Sequence, residues 1–380
     1  MSTVVIGGGL AGLSAALTLR EAGEEVELFE GSDSVGGRLR SDYVDGYILD
    51  RGFQLINSGY PEIKTLEVID EIDFVKSDRT IDVVTPFGVQ SIGDPRLHLL
   101  QGLRSPLGSL REKLAFLTFM GSRKLQGKNL EEALLEEGTL NLYHNLLKPF
   151  LTGVFLTSPA DIDASYGQEI IKSFIVGDSG LPVAGAGVLA EAIAARIETI
   201  HLNSPVSDLA QFDGHSIIIA TDYRSSAKLL GSETELKFAQ SFTWYHSLPA
   251  GLITSKRLRV SSAESPLVNS IAISNFVPSY APIDRTLVST TTLIKLEEDE
   301  IRNQLSRFWS IAPEDFDLVK CYEIQDALPI FSPKVSHSAI SSKISDGIYR
   351  AGDYLTAASQ NGALLSGRLA AQELLFDKSC

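Results

Sequence analysis

Cysteine is almost absent from the 380-residue chain, which has two, Cys321 and Cys380. Neither has a second cysteine or a histidine at metal-ligand spacing, so no disulfide framework and no zinc site is suggested, and a reducing compartment is expected. Positive charge is short as well: 33 Lys and Arg stand against 48 Asp and Glu, for a formal net charge of −15. Such a surface repels a phosphate backbone and argues against nucleic acid as a partner. No run of about 18 uncharged apolar residues occurs, so a spanning helix is not expected. Val4–Ile6 already read as a buried strand with no charged n-region ahead of them, which leaves no room for a cleavable leader and points to a cytoplasmic protein. The six histidines, His98, His144, His201, His215, His246 and His337, show neither helical pairing nor metal spacing.

What is present is ordinary for a globular protein, with 44% apolar and 21% charged residues. The length suits two interlocked domains. The first forty residues carry the sharpest pattern. Val4-Val5-Ile6 runs into Gly7-Gly8-Gly9-Leu10-Ala11-Gly12, and Leu13, Ala16, Leu17 and Arg20 follow at helical spacing. This predicts a strand, a glycine turn and a helix. Gly7 permits the reversal, Gly9 lets the backbone approach a pyrophosphate, and Gly12 lets the helix pack on the strand. The phosphates then sit at the helix N-terminus, beside Leu10 and Ala11. A second strand, Glu25 to Glu30, ends in a carboxylate 18 residues after Gly12, placed to accept hydrogen bonds from a ribose diol. The pattern is that of a dinucleotide-binding unit.

Next comes Gly36-Gly37-Arg38, where two flexible residues precede a cation able to reach back to the pyrophosphate; the bare alternative is a surface arginine after a turn. On these residues the chain resembles the FAD-dependent amine oxidase, phytoene desaturase and protoporphyrinogen oxidase superfamily, in which such a Gly-Gly-Arg follows the first dinucleotide unit. The resemblance implies FAD rather than NAD. At the far end Ala351-Gly352-Asp353, Asn361-Gly362-Ala363 and Ser366-Gly367-Arg368 look like the superfamily's closing motif. It implies that Asp353 contacts the ribityl-phosphate region and that Ala363 meets the ring by its backbone. The small residues open a second helix, whose positive end would stabilise charge on a reduced flavin. Asp50-Arg51-Gly52-Phe53-Gln54 resembles the loop beside the isoalloxazine, and Leu202 to Val206 the strand whose backbone meets the adenine, through Val206. Ser216 to Thr221 resembles a returning buried strand. Phe150 to Pro159 and Ala327-Leu328-Pro329 resemble landmarks of the desaturase and protoporphyrinogen oxidase branches.

The expected fold is therefore α/β. A Rossmann-like, glutathione-reductase-like FAD-binding domain with a parallel sheet (1–60, 180–222 and 340–380) interleaves with a substrate domain (61–179 and 223–339). The latter combines a mixed sheet, with Leu252 to Thr254 and Thr286 to Thr292 as strands, and a helical section at about 95–151. In that section Leu110, Leu114 and Leu117 share one face. Between Pro95 and Lys128 stand Arg96, Arg104, Arg111, Lys113, Arg123, Lys124 and Lys128 against one acid, Glu112. This basic island reads either as a solvated helix pair or as a peripheral contact with an anionic membrane.

The expected activity is removal of a hydride from a C–H bond of a small, apolar substrate. The flavin does the chemistry, so no catalytic side chain is assigned. Amine oxidation to an imine is the alternative, and a flavin-binding or redox-sensing protein without turnover is an alternative of another class. The electron acceptor, O2, quinone or another, stays open. Cys321 lies before Ala327-Leu328-Pro329 rather than after it, where the resemblance places a tethering cysteine, so the FAD is expected to be non-covalent.

Overall fold

A computed structural model describes residues 2–93, 107–175, 177–232, 236–333 and 341–379. Arg96, His98 and Arg104 of the basic island, the helical reading before residue 107, His337 and Cys380 lie outside the described residues.

The first strand, β1 (Thr3–Ile6), pairs in parallel with β2 (Val26–Phe29) on one side and β11 (Ser216–Ile219) on the other. β10 (Ile200–His201) extends the sheet beyond β2 and β18 (Ile348–Arg350) beyond β11, with antiparallel β17 (Lys343–Ser345) at the edge. Strands this uniformly apolar are covered on both faces. Val4, Ile6, Ile217 and Ile219 pack on one side, and Val5, Leu28 and Ile218 on the other, against α1 (Leu10–Glu21) and α8 (Gln360–Ser379). These two helices meet almost backbone to backbone. A Cβ on Gly367 would lie 2.0 Å from the Ala11 carbonyl oxygen, and the Ser14 hydroxyl donates to the Leu364 carbonyl at 2.7 Å across 350 positions of sequence. Chain ends far apart in sequence thus share one core.

A second, seven-stranded sheet runs in the order β16 (Asp317–Pro329), β12 (Phe238–Pro249), β15 (Arg285–Thr292), β14 (Leu267–Ala272), β13 (Leu258–Ser261), β7 (Thr80–Thr85), β8 (Gly88–Gly93). Alternation along β12 sends Phe242, Trp244 and Leu248 under α7 (Glu298–Trp309), and Ser241, Thr243 and Tyr245 to the opposite face. The expected strand at Leu252 to Thr254 is a loop. The Asn275 side chain donates to the Ile253 and Ser255 carbonyls, which takes them out of any ladder, and Gly251 turns the chain at a φ of +90°. The β-branched run Thr286 to Thr292 does lie within β15.

The helical section includes α2 (Leu110–Gly121), α3 (Leu130–Glu136), α4 (Lys148–Phe155) and α5 (Ala164–Ile175). Capping boxes at Ser109 and Asn129 start α2 and α3. Their shared core holds Phe119, Leu130, Leu134, Tyr143, Leu151 and Phe155. The leucine face of α2 does not join it: Leu110, Leu114 and Leu117 stay 57%, 57% and 63% exposed. A turn through Gly185 and Gly187 opens α6 (Val188–Ala194).

His246, beside Trp244 on the α7 side, is fully buried with neither ring nitrogen hydrogen-bonded. Burial first, then the charge of Arg302, pushes its imidazole down to about 3, against the opposing pull of Asp317.

Two outcomes are expected. The unfolded chain protonates His246 below its ordinary 6.5 while the native state resists until about 3, so this residue removes stability as pH falls through that window, by about 1.4 kcal/mol per unit at most. His246→Leu should flatten that part of the urea-unfolding profile; an unchanged slope between variant and wild type counts against the assignment. Gly367→Ala should cost about 1–3 kcal/mol by forcing the helices apart, whereas Gly121→Ala, whose Cβ meets nothing within 4 Å, should be neutral or slightly stabilising.

Candidate functional site

The carboxyl ends of β1 and β2 open onto the amino end of α1. Gly7 turns the chain at φ +108°, and a Cβ there would lie 2.6 Å from the Ala220 carbonyl oxygen. Gly12 is glycine for packing: its Cβ would sit 1.8 Å from the Gly7 oxygen. Gly9 is different. Its backbone is extended, at φ −72°, and a Cβ would meet nothing within 4 Å. Fold requirements account for Gly7 and Gly12 and leave open space at Gly9.

Glu30 closes the turn from below. Its carboxylate accepts from Gly8 N at 2.6 Å, from Ser32 N at 2.8 Å and from the Ser32 hydroxyl at 2.7 Å. Four lone-pair directions on a carboxylate leave room for a further donor. The Gly36–Gly37 loop docks on the same turn, with Gly36 N donating to the Gly8 carbonyl at 2.8 Å and Gly37 in the left-handed region at φ +58°. Arg38 then swings across to the chain's other end. It pairs with Asp353 at 2.7 Å and donates to the Ala327 carbonyl at 2.7 Å, so three segments distant in sequence meet at one guanidinium. Asp353 is buried, and Gly352 N donates to Ser366 Oγ on α8 at 2.9 Å.

Asp50 plays a part that sequence reasoning missed. It is not at the surface of the site but fully buried behind it, accepting from the Ser41 hydroxyl at 2.6 Å, Ala186 N at 2.9 Å and the Tyr280 hydroxyl at 2.9 Å. The Tyr245 hydroxyl donates to its carbonyl at 2.9 Å. Burial pushes the Asp50 carboxyl up, opposed by those three donors. The network pins the end of β4 (Tyr47–Asp50) to β12, and so aims the following Arg51-Gly52-Phe53. Its only sequence signal was the aspartate in front of that loop. Gly52, at φ +99°, rests on the Ile324 side chain of β16.

These parts surround one cavity of about 1600 Å³. Of the residues expected at the site, Gly7, Gly9, Leu10, Ala11, Glu30, Gly37, Arg38, Gly52, Phe53, Gln54, Val206, Gly352, Asp353 and Ala363 line it. Gly12 and Gly362 do not; a Cβ on Gly362 would lie 1.9 Å from the Ala357 carbonyl oxygen, so this glycine serves the start of α8. Val206 arrives on an irregular loop rather than a strand. β10 ends at His201, Asn203 turns left-handed at φ +53°, and Pro205 has no amide to give a ladder.

The family model described as flavin containing amine oxidoreductase matches residues 10–229, more than half of the chain. The chain belongs to that family. Curated relatives match over shorter stretches. Polyamine oxidase 2 of Arabidopsis thaliana is 47% identical over 51 residues, 13% of this chain and 10% of its own length. Hydroxysqualene dehydroxylase of Zymomonas mobilis is 45% identical over 190 residues, 46% of this chain and 44% of its own. The chain therefore spans less than half the length of these relatives. Among solved structures, an oxidoreductase from Methanosarcina mazei superposes with a TM-score of 0.79 at 17% identity, covering 99% of this chain and 100% of that one. Cyclohexylamine oxidase from Brevibacterium oxydans gives 0.72 at 14% identity, covering 100% and 99%. At such identities the likeness is one of fold, an α/β architecture with parallel and antiparallel sheets.

The helices that cover the amine oxidoreductase cavity turn a mainly apolar face to it. Leu114, Phe116, Leu117 and Met120 of α2, Phe150 and Val154 of α4, and Ile170 of α5 roof it over the second sheet. Leu110, Leu114 and Leu117 line the cavity while more than half exposed, which places them at its opening. Among the described residues no histidine or cysteine lines it, no group of ligands could hold a metal, and no helix is long and apolar enough to cross a membrane.

The two glycines of the turn separate fold from function. Gly7→Ala should lower the stability of the ligand-free protein by at least about 2 kcal/mol, since it adds both strain and a backbone clash. Gly9→Ala should leave it within about 0.5 kcal/mol. Equal losses for the two variants in thermal unfolding would refute this separation.

Proposed function

We propose that the chain is an FAD-dependent dehydrogenase or oxidase that takes a hydride from a C–H bond of an apolar substrate. The observation that carries this reading is the continuity of one cavity. Its glycine-lined end suits a dinucleotide, and its other end is a greasy sleeve under α2, α4 and α5. A volume of about 1600 Å³ exceeds the roughly 300–1,000 Å³ of an ordinary ligand site, which leaves space for a cofactor and a substrate together.

In this reading the residues of 1–60, 180–222 and 340–380 hold FAD, and those of 61–179 and 223–339 hold the substrate. The open space at Gly9 and the amides at the start of α1 take the pyrophosphate, Glu30 takes the adenosine ribose, and Val206 meets the adenine. Arg38 and Asp353 flank the ribityl and phosphate groups, while Gly52, Phe53, Gln54 and Ala363 border the ring. Bound there, the flavin supplies hydride acceptance. The protein's share is to orient the substrate and exclude water, which the apolar roof does. Cys321 is absent from the cavity lining and its thiol is pushed up to about 11 by burial; both favour a non-covalent cofactor.

The matched relatives include enzymes named for polyamines and enzymes named for carotenoids or hydroxysqualene. The sleeve favours the second group. The exposed leucines of α2, with Arg111, Lys113, Arg123 and Lys124 near them, extend the reading to a peripheral membrane contact at the entrance.

The test is anaerobic mixing of the FAD-loaded protein with detergent-dispersed long-chain isoprenoids and, separately, with spermine and putrescine. Isoprenoids should bleach the flavin absorbance and amines should not; the reverse pattern refutes the assignment. Gly9→Ala should purify folded and without flavin.

A further inference from the structure

At the end of the cavity away from the glycine turn, its lining changes character. Lys76, Arg79, Lys113, Lys256 and Arg257 all line it, with Asp78 as the carboxylate beside them. In a chain of net charge −15 this is a reversal of the overall balance. Asp82 and Asp178, outside the lining, also pair with members of the group.

The topology explains how residues from two distant segments come together. β7 and β13 pair in parallel with Leu258 opposite Ile81, so Arg79, one residue before β7, and Lys256 and Arg257, just before β13, lie side by side at the same end of the sheet. The carboxylates orient the guanidiniums. Arg257 Nε donates to Asp78 at 2.9 Å, and Arg79 Nη1 donates to Asp178 at 3.4 Å and Nη2 to the Phe174 carbonyl at 2.9 Å. Lys256 itself is exposed.

The distance from this group to the ring end follows from the sheet. Gly52, which borders the ring in the reading above, rests on Ile324 of β16. Across the large sheet β16 and β7 are five strands apart, and a shorter route runs through a small sheet in which Ile56, two residues after Gln54, and Lys76 both pair with Gly180, about 10 Å from each other. Between the two ends the lining is furnished by Thr243, Thr291, Ile271, Leu258 and Val260 from successive strands, under the apolar roof.

Resting on the apolar-substrate reading, we propose that the substrate is a long amphiphile with an anionic head, carboxylate or phosphate. Lys76, Arg79, Lys256 and Arg257 hold the head while the chain lies across the sheet toward the flavin end. Arg79 and Arg257 are the sheltered members of the four, and an ion pair to a sheltered guanidinium is worth more than one in open water; fixing the head selects which C–H bond reaches the ring.

The test uses the FAD-loaded protein and a binding readout without turnover. cis-Parinaric acid and its methyl ester are titrated by fluorescence into wild type, Lys256→Glu and Lys76→Glu/Lys256→Glu, with flavin content checked in each. Wild type should bind the acid roughly tenfold or more tighter than the ester, the factor that about 1.4 kcal/mol supplies, and the variants should lose this preference with flavin content unchanged. Displacement by palmitate or by hexadecyl phosphate, whichever is stronger, then identifies the head. Equal binding of acid and ester overturns the head-group site while leaving the apolar cavity standing; binding of neither overturns both. Variants that keep the acid preference but lose sedimentation with phosphatidylglycerol vesicles would assign the cations to a membrane surface and overturn the proposal as well.

Discussion

The contact between α1 and α8 is the constraint on which the rest of the molecule depends. Gly367 has no side chain, Ala11 and Ala15 have small ones, and the Ser14 hydroxyl bridges to a carbonyl of the opposite helix. Only with that approach do the amino ends of the two helices face one cavity from neighbouring positions. A larger residue at Gly367 would shift α8, and with it Ser366, which holds Gly352, and Asp353, which holds Arg38. Packing and site geometry are therefore the same interaction seen at two distances.

Around that contact the protein divides its cavity by chemistry. The glycine-lined end is rich in backbone amides and a few charged groups that are already partly satisfied by each other, Glu30 with Gly8 and Ser32, Arg38 with Asp353. Such pre-paired groups cost little to hold in place before a cofactor arrives and offer fixed dipoles when it does. The helical roof contributes almost only hydrocarbon. Behind the wall, Ser41, Ala186 and Tyr280 hold the Asp50 carboxylate, and the Tyr245 hydroxyl on its carbonyl ties the loop that follows to the mixed sheet.

Much of this was legible in sequence where a single local rule decides the structure. Strand, glycine turn and helix at Val4 to Arg20 follow from periodicity and from the steric demands of Gly7 and Gly12, and the closing segment Ala351 to Ala371 follows in the same way. The nucleotide-type sheet was readable because its strands are continuous apolar runs. What was not legible depends on partners far away in sequence. Leu252 to Thr254 has strand-like composition but loses its carbonyls to Asn275. The leucines of α2 have helical spacing, which says that they share a face and not that the face is buried. Arg38 reads as a pyrophosphate ligand, and only the fold shows it also bridging Asp353 and Ala327. Asp50 looks like part of a loop motif, and only Ser41, Ala186 and Tyr280 reveal it as a buried anchor.

The order of synthesis gives the α1 to α8 contact a temporal meaning. β1 and α1 are made well before their partner helix, which is translated more than 300 residues later, a delay on the order of tens of seconds at about 5–20 residues per second. Throughout that interval the apolar flank of α1 has no native cover. The nascent chain must be shielded by chaperones or by transient, non-native burial, and the cavity between the two helices closes only once α8 has been made.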